Sequence, residues 1–372
     1  MLGLKQLQEL LRFQLAAKLV GNSGSFRKGS ILIIVIWSLY LLTVFAVYLG
    51  FGAKQKILVT DNLGARAKLN YFAQAGIKKA IFELKKRDTT EGVDALKESW
   101  STDESLFKDV PLGEGSYTIS YVFFNKKDSQ RRTRYGMIDE ERKLNINKEK
   151  RAVIENLLKA LGFKDMQAQN LSAAIVDWRD GDSQLSVPLG SAEDRFYKSL
   201  DDPYEAKDSD FETLDELLLV KGVDRGAFDK IKDFVTIYGE GKVNINTAPL
   251  EVLQALGLNK DVVDKILAFR AGEDKIEATA DDYVFDSPSK IVPYLRKYFS
   301  LNDSEAAGLD NLISLGRITT ESRNFMIRSR AQMEGRNSVS EIVCVFEKPR
   351  LNLTQPHLSD TGKIKYWRED LY

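Results

Sequence analysis

The sequence predicts an α+β fold. A long N-terminal helix, membrane-spanning in its first half and amphipathic in its second, packs on an antiparallel sheet that a large all-α segment interrupts. Three observations carry this. No charged residue occurs from Gly29 to Ala53, and no proline from Lys28 to Pro111. Apolar residues alternate with period two, the mark of a half-buried strand, before about residue 147 and again after about residue 320. Between those stretches the apolar spacing turns helical.

About 20 apolar residues at 1.5 Å each cross a hydrocarbon core of about 30 Å, so residues 30–53 are expected to span a bilayer. A cleavable secretory signal is the competing reading, with Gly50-Phe51-Gly52 before Ala53 as a weak cleavage site. Lys5, Arg12, Lys18, Arg27 and Lys28 precede the span, against Glu9. That bias places the N-terminus in the cytoplasm and exports the C-terminal body. Beyond the span, Leu63, Ala67, Tyr71, Ile77, Ala80, Ile81 and Leu84 continue at helical spacing. "GSYTISYVFF" (115–124) reads as one strand, and "RRTRYGMIDEERKLNIN" (131–147) holds further strand signals. "KEKRAVIENLLKALG", "LSAAIVDWRD", "TLDELLLVKG", "AFDKIKDFVTIYG", "APLEVLQALG", "KDVVDKILAFRAG" and "PSKIVPYLRKYF" read as helices, several closed by a glycine. Strands return in "RNFMIRSRAQMEG", "SVSEIVCVFEKP" and "GKIKYWRED".

Lysine plus arginine balance aspartate plus glutamate at 54 each, so no overall field draws nucleic acid. The single cysteine, Cys344, excludes an intramolecular disulfide, and its alternating surroundings mark it as a buried strand residue. The only histidine, His357, sits in the turn-like "TQPHLSD". No nucleophile–base set emerges, and the chain reads as a non-enzyme.

Two constellations stand out in the helical segment. From Asp177 to Glu216 thirteen acidic residues face four basic ones. "DWRDGD" sets Asp177, Asp180 and Asp182 around Gly181, and "GSAEDRFY" returns Glu193 and Asp194. Hard oxygens on an irregular loop suit a structural Ca²⁺, and there is no His/Cys set for zinc. The spacing is not that of an EF-hand, and a solvated acidic loop is an equal reading of the composition. The second constellation is a tandem pair, "LDELLLVKGVDRGAFDKIKDF" and "TAPLEVLQALGLNKDVVDKILAFR". Each resembles the helix-hairpin-helix element that offers backbone N–H groups to a DNA phosphate. Asp224 and Asn259 stand where that element has its second glycine, and both can adopt the left-handed conformation. A carboxylate there repels phosphate, and the counterion-release term of DNA binding lacks a basic stripe.

Taken together, "RKG" before "SILIIVIW", "DEERKLNIN" (139–147), "IVDWRDGDSQLSVPLGSAEDRFY" (175–197), "TLDELLLVKGV" (213–223), "KVNINTAPLEVLQALG" (242–257) and the closing "RNFMIRSRAQMEG…KIKYWRED" resemble the K-type minor pseudopilins of the type II secretion system. The resemblance implies a pilin-like body in two parts, 54–147 and 315–372, with an inserted helical domain at 148–314. It implies a leader, 1–29, removed by prepilin peptidase between Gly29 and Ser30, which leaves the span as the mature N-terminus. Most pilins carry a glutamate at mature position five; this chain has Ile34 there. The expected role is to cap the tip of a short pseudopilus, with I-type and J-type minor pseudopilins and the inner-membrane secretion platform as partners. The expected location is the inner membrane, single-pass, with the body in the periplasm. The expected partner contact lies on the long helix around Ala67, Tyr71, Ile77 and Ile81. A membrane-anchored DNA-binding protein is the rival reading.

Overall fold

The computed structural model describes residues 28–87, 92–125, 130–188, 190–349 and 361–372. The expected leader up to residue 27 and the segment 350–360 with His357 lie outside them, and of Gly29 and Ser30 only the helical backbone is described. The chain divides into two units, one ending at Ala65 and the other running Arg66–Tyr372. One helix, α1 (Lys28–Arg87), contributes to both.

In the first unit α1 is apolar all round: Ile34, Trp37, Phe45 and Tyr48 are each more than half exposed. A helix without a polar face belongs in lipid or in a large core. Among the described residues it is the one helix long and apolar enough to cross a membrane.

In the second unit α1 buries Leu69, Ala73, Ile77, Ala80 and Leu84, a stripe at spacings of three and four. Ile77, Ala80 and Leu84 of the expected stripe are therefore buried, whereas its Leu63 and Tyr71 are 60% and 68% exposed. The true phase is set at Gly76, where a Cβ would come within 2.2 Å of Ser329 Oγ and 2.9 Å of the Tyr117 ring. Only glycine lets the helix lie that close to the strands β2 (Gly115–Ile119) and β10 (Asn324–Met333).

These strands belong to an antiparallel sheet in the order β1-β2-β10-β11-β12, with β1 at Val110–Leu112, β11 at Val339–Glu347 and β12 at Lys363–Leu371. The short strand β5 (Ile138–Asp139) also pairs with β10. β10 alternates buried and exposed residues along nearly its full length. Cys344, on β11, is buried as expected, and burial pushes its thiol up to about 12. The stretch 115–124 is not one strand. It breaks at Ser120, because β5 takes over the place beside β10, and the chain leaves the sheet as a separate hairpin of β3 (Tyr121–Asn125) and β4 (Gln130–Arg134).

The inserted segment has its own core, from Leu144 to Ile318. It is framed by two short parallel pairs: β6 (Leu144–Asn145) with β7 (Val235–Thr236), and β8 (Val243–Asn244) with β9 (Ile318–Thr319). Between β6 and β7 lie α2 (Arg151–Ala160), α3 (Asp165–Arg179), α4 (Asp194–Tyr197) and α5 (Arg225–Ile231). Between β8 and β9 lie α6 (Leu250–Ala255), α7 (Lys260–Arg270), α8 (Ile291–Tyr298) and α9 (Asp303–Ser314). Leu214–Leu219, expected as α-helix, is 3₁₀. Helix α9 has no clear sequence signal, since of its large apolar residues only Leu309 is fully buried, while Leu312 and Ile313 are half-buried.

A buried polar network ties this segment to the sheet. Asp139 Oδ2 accepts from Thr247 Oγ1 (2.5 Å), Ser322 Oγ (2.7 Å) and Asn244 Nδ2 (3.2 Å), and Oδ1 accepts from the Glu141 N–H at 2.8 Å. Asn244 Nδ2 also reaches the Asp94 carbonyl, and Lys348 lies 3.2 Å from the Asp94 carboxylate. Glu141 accepts from both the side chain and the backbone of Asn324. Burial raises Asp139 to about 6 and Glu141 to about 8, the latter helped by the neighbouring Asp139 charge.

Candidate metal centre

Helix α3 ends at Arg179 and delivers Asp180 and Asp182 into the loop that follows. The chain returns at Glu193, just before α4. One carboxylate oxygen from each of Asp180, Asp182 and Glu193 then lies within 4.8 Å of the other two. Asp180 is half-buried, Asp182 exposed and Glu193 only 7% exposed. Asp180 Oδ1 and Glu193 Oε1 are buried without a hydrogen-bond partner. Such orphaned oxygens are rare in native proteins, and each leaves a desolvation cost uncompensated.

The electrostatics agree with that geometry. Burial, then the charges of Asp177, Asp180, Asp208 and Asp182, push Glu193 up to about 7. Asp180 is raised by burial first and then by its acidic neighbours. The adjacent Arg179 turns its guanidinium to the Glu149 carbonyl. Three acidic side chains thus face one another around a point that only a cation can occupy favourably. All the donors are hard oxygens, the set that Ca²⁺ takes in irregular loops. The residues present fit such an ion.

The five residues singled out from sequence do not all meet. Asp177 is fully buried at the back of the cluster, where both its oxygens accept from the Ser186 N–H at 3.2 and 3.1 Å. Asp194 is committed elsewhere: it pairs with Lys198 at 2.7 Å and accepts from the Ala206 N–H at 2.9 Å, which hold it below the usual carboxylate range. Asp208, not singled out, is brought to the cluster by its N–H bond to the Trp178 carbonyl and a left-handed backbone (φ 52°). Its only sequence signal is membership of the long acidic stretch.

The tandem hairpins have a different logic from DNA-binding ones. The left-handed residues are Gly222 (φ 84°) and Gly257 (φ 93°), while Asp224 and Asn259 are extended (φ −84° and −69°), not left-handed. Each caps the next helix: Asp224 Oδ1 accepts from the Ala227 N–H at 2.7 Å, and Asn259 Oδ1 from the Val262 N–H at 2.9 Å. The amides that would greet a phosphate are already bonded to the chain's own side chains.

Comparison with known proteins points to one family. Residues 132–240 match the family model for type II secretion system (T2SS) protein K. A protein named type II secretion system protein K from Aeromonas hydrophila is 27% identical over 293 residues, covering 74% of this chain and 86% of the relative. The chain is thus similar to type II secretion system protein K, through the family model over residues 132–240 and through relatives about a quarter identical. A protein K from Pectobacterium carotovorum subsp. carotovorum is 26% identical over 247 residues, covering 63% and 72%. The crystal structure of the GspK-GspI-GspJ complex from enterotoxigenic Escherichia coli shares the fold, with a TM-score of 0.61 at 15% identity over 84% of this chain and 99% of that one. The α+β architecture is the one seen in that solved structure. The apolar helix of this chain fits a single-pass anchor.

Proposed function

We propose that this chain is a K-type minor pseudopilin that caps the tip of a short periplasmic pseudopilus and helps to start its assembly. The observation that carries the reading is Ile34. A pilin glutamate at that place neutralises the terminal amine of the subunit above, because an unpaired charge in hydrocarbon is expensive. A subunit without that carboxylate has no use for a neighbour above. The helical insertion from Leu144 to Ile318 supports the same position, since its bulk would obstruct further stacking. The partners in this reading are I-type and J-type minor pseudopilins, as GspI and GspJ accompany GspK in the solved Escherichia coli complex.

The partner surface is the outward face of α1 in the second unit. Ile77, first expected to contact a partner, is 1% exposed and belongs to the chain's own core. Tyr71 and Phe82 are 68% and 58% exposed and lie with Ala67 and Ala75 along one side of the helix. Purified residues 54–372 should stay monomeric alone and bind the soluble bodies of the I- and J-type subunits. Changing Tyr71 and Phe82 together to aspartate should weaken that binding roughly tenfold or more, with an unchanged melting curve, because both are solvent-facing. Ile77→Asp should instead unfold the body. Full binding by the Tyr71/Phe82 variant would move the contact elsewhere.

The acidic centre has a structural role in this reading, with Asp180, Asp182 and Glu193 holding Ca²⁺. An ion that binds only the folded state stabilises it by RT ln(1 + [L]/Kd), about 2.7 kcal/mol at a hundredfold excess. Calcium should raise the melting midpoint, chelator should lower it, and Asp180→Asn with Glu193→Gln should abolish the difference. The effect should grow with pH. Glu193 is raised above its unfolded value, so without the ion the folded state loses stability as pH rises toward about 7, where the carboxylate ionises among like charges. The calcium-induced shift should therefore be larger at pH 8 than at pH 5.5. A melt indifferent to calcium at both values would leave the loop merely acidic.

A further inference from the structure

The helical insertion contains the same structure twice. Lys143-Leu144-Asn145-Ile146-Asn147 opens the first copy and Lys242-Val243-Asn244-Ile245-Asn246 the second. In each, the first asparagine's Oδ1 accepts the N–H of the second, at 3.0 Å and 2.9 Å. The second asparagine then clasps a phenylalanine backbone with both side-chain atoms: Asn147 with Phe211, and Asn246 with Phe285, all at 2.8–2.9 Å. A helix, a left-handed glycine (Gly162 or Gly257) and a second helix follow in both. The second helix ends in an arginine that returns to the carbonyl two residues past the clasping asparagine: Arg179 to Glu149, and Arg270 to Ala248. Each copy closes by pairing its opening strand in parallel with its last.

Between arginine and phenylalanine each copy carries an acidic loop, 180–210 in the first and 271–284 in the second. Their neutralisation differs. In the second loop Arg270, 3% exposed, lies 2.6 Å from Glu277; Arg134 donates to the Glu277 carbonyl and Lys97 to that of Asp282. Asp281 and Asp282 accept from backbone N–H groups and from the Thr279 hydroxyl. Buried carboxylate oxygens without a hydrogen bond occur in both loops, Glu277 Oε1 in the second and Asp180 Oδ1 and Glu193 Oε1 in the first; the former faces the Arg270 guanidinium, whereas the latter two face each other and Asp182.

We infer that the insertion is a duplicated unit whose copies are fastened by different cations, a divalent ion in the first and the built-in guanidinium of Arg270, with Arg134 and Lys97, in the second. The inference rests on the calcium reading above and adds that only one half of the insertion answers to calcium. Arg270 is a positioning residue here: it holds loop 271–284 closed against the Asn246 clasp.

Hydrogen exchange of the full detergent-solubilised chain tests it, in calcium and in EGTA. EGTA should speed exchange at least tenfold in 180–210 and leave 271–284 unchanged. Arg270→Met should speed exchange in 271–284 equally in both conditions, while 180–210 keeps its calcium response. Should that variant fail to fold, Arg134→Gln combined with Lys97→Gln should loosen the same loop more mildly, again without calcium dependence. A parallel response of both loops to EGTA, or a second loop indifferent to these substitutions, overturns the assignment. No response in either loop, with no heat of calcium binding, overturns the calcium reading of the first copy, while the Arg270 arm still decides the second.

Discussion

Asp139→Ala is expected to be the most destabilising single change in the body of this protein. The carboxylate is 1% exposed and collects four donors: Thr247, Ser322, Asn244 and the Glu141 N–H. Two of the three side-chain donors come from the inserted segment and the third from just beyond it, so the residue fastens insertion to sheet. Alanine leaves the Ser322 hydroxyl and the Glu141 N–H without this acceptor, at about 1–3 kcal/mol each, and costs Thr247 its short bond, while Asn244 keeps the Asp94 carbonyl; removing a buried charge partly offsets the loss. A net loss of about 3 kcal/mol, or roughly 6–12 °C in the melting midpoint, is expected. Asp139→Asn keeps one acceptor oxygen and should lose less. The two variants also separate by pH. Asp139 is raised to about 6, so the wild type binds its proton more tightly folded than unfolded and loses stability as pH rises from about 4 to 6. Glu141, raised to about 8, continues that trend upward. In Asp139→Asn the slope between pH 4 and 6 should flatten, and the slope nearer 8 should remain. An alanine variant that melts with the wild type would mean that the joint is held by apolar packing alone.

That joint marks how far the sequence could be read. Periodicity is a local signal, and it served wherever one face of an element meets one environment. The uncharged run from Gly29, the alternation in β10 and β11 and the helices of the insertion are of this kind. It failed where the environment changes within an element. At Ser120 the alternation continues, but the neighbouring strand has been replaced by β5, so one apparent strand is two. On α1 the expected stripe holds at Ile77, Ala80 and Leu84 and fails at Leu63 and Tyr71, because Gly76, with no side chain to count, determines which face meets the sheet. The centre was half legible for the same reason. Asp180, Asp182 and Glu193 lie close in sequence around two bends, whereas Asp208 arrives through a backbone bond to Trp178 that no local pattern records. Asp194 sits beside Glu193 in sequence, yet Lys198, one helical turn on, had already claimed it.

Gly29→Leu is expected to abolish secretion while leaving the protein in the membrane. In the proposed processing the bond after Gly29 is cut and Ser30 becomes the first mature residue, so a branched side chain at the scissile position obstructs the peptidase. Leucine is apolar and a good helix former, so the uncharged run to Ala53 still spans the bilayer. The defect is then in processing alone. Uncut chains should accumulate at the full 42.0 kDa with Met1 at the N-terminus, where the wild type is expected to begin at Ser30. Retained Lys5, Arg12, Lys18, Arg27 and Lys28 would also hold the helix in the bilayer, because drawing each such charge into hydrocarbon costs about 2.5–3.5 kcal/mol. A subunit pinned by its leader cannot rise into a filament, so the variant should remain inactive even when overproduced. Sequencing the mature N-terminus separates the outcomes. Ser30 from the wild type and Met1 from the variant support prepilin processing, whereas Ala53 from both would make the apolar run a discarded signal and remove the anchor on which the tip assignment depends.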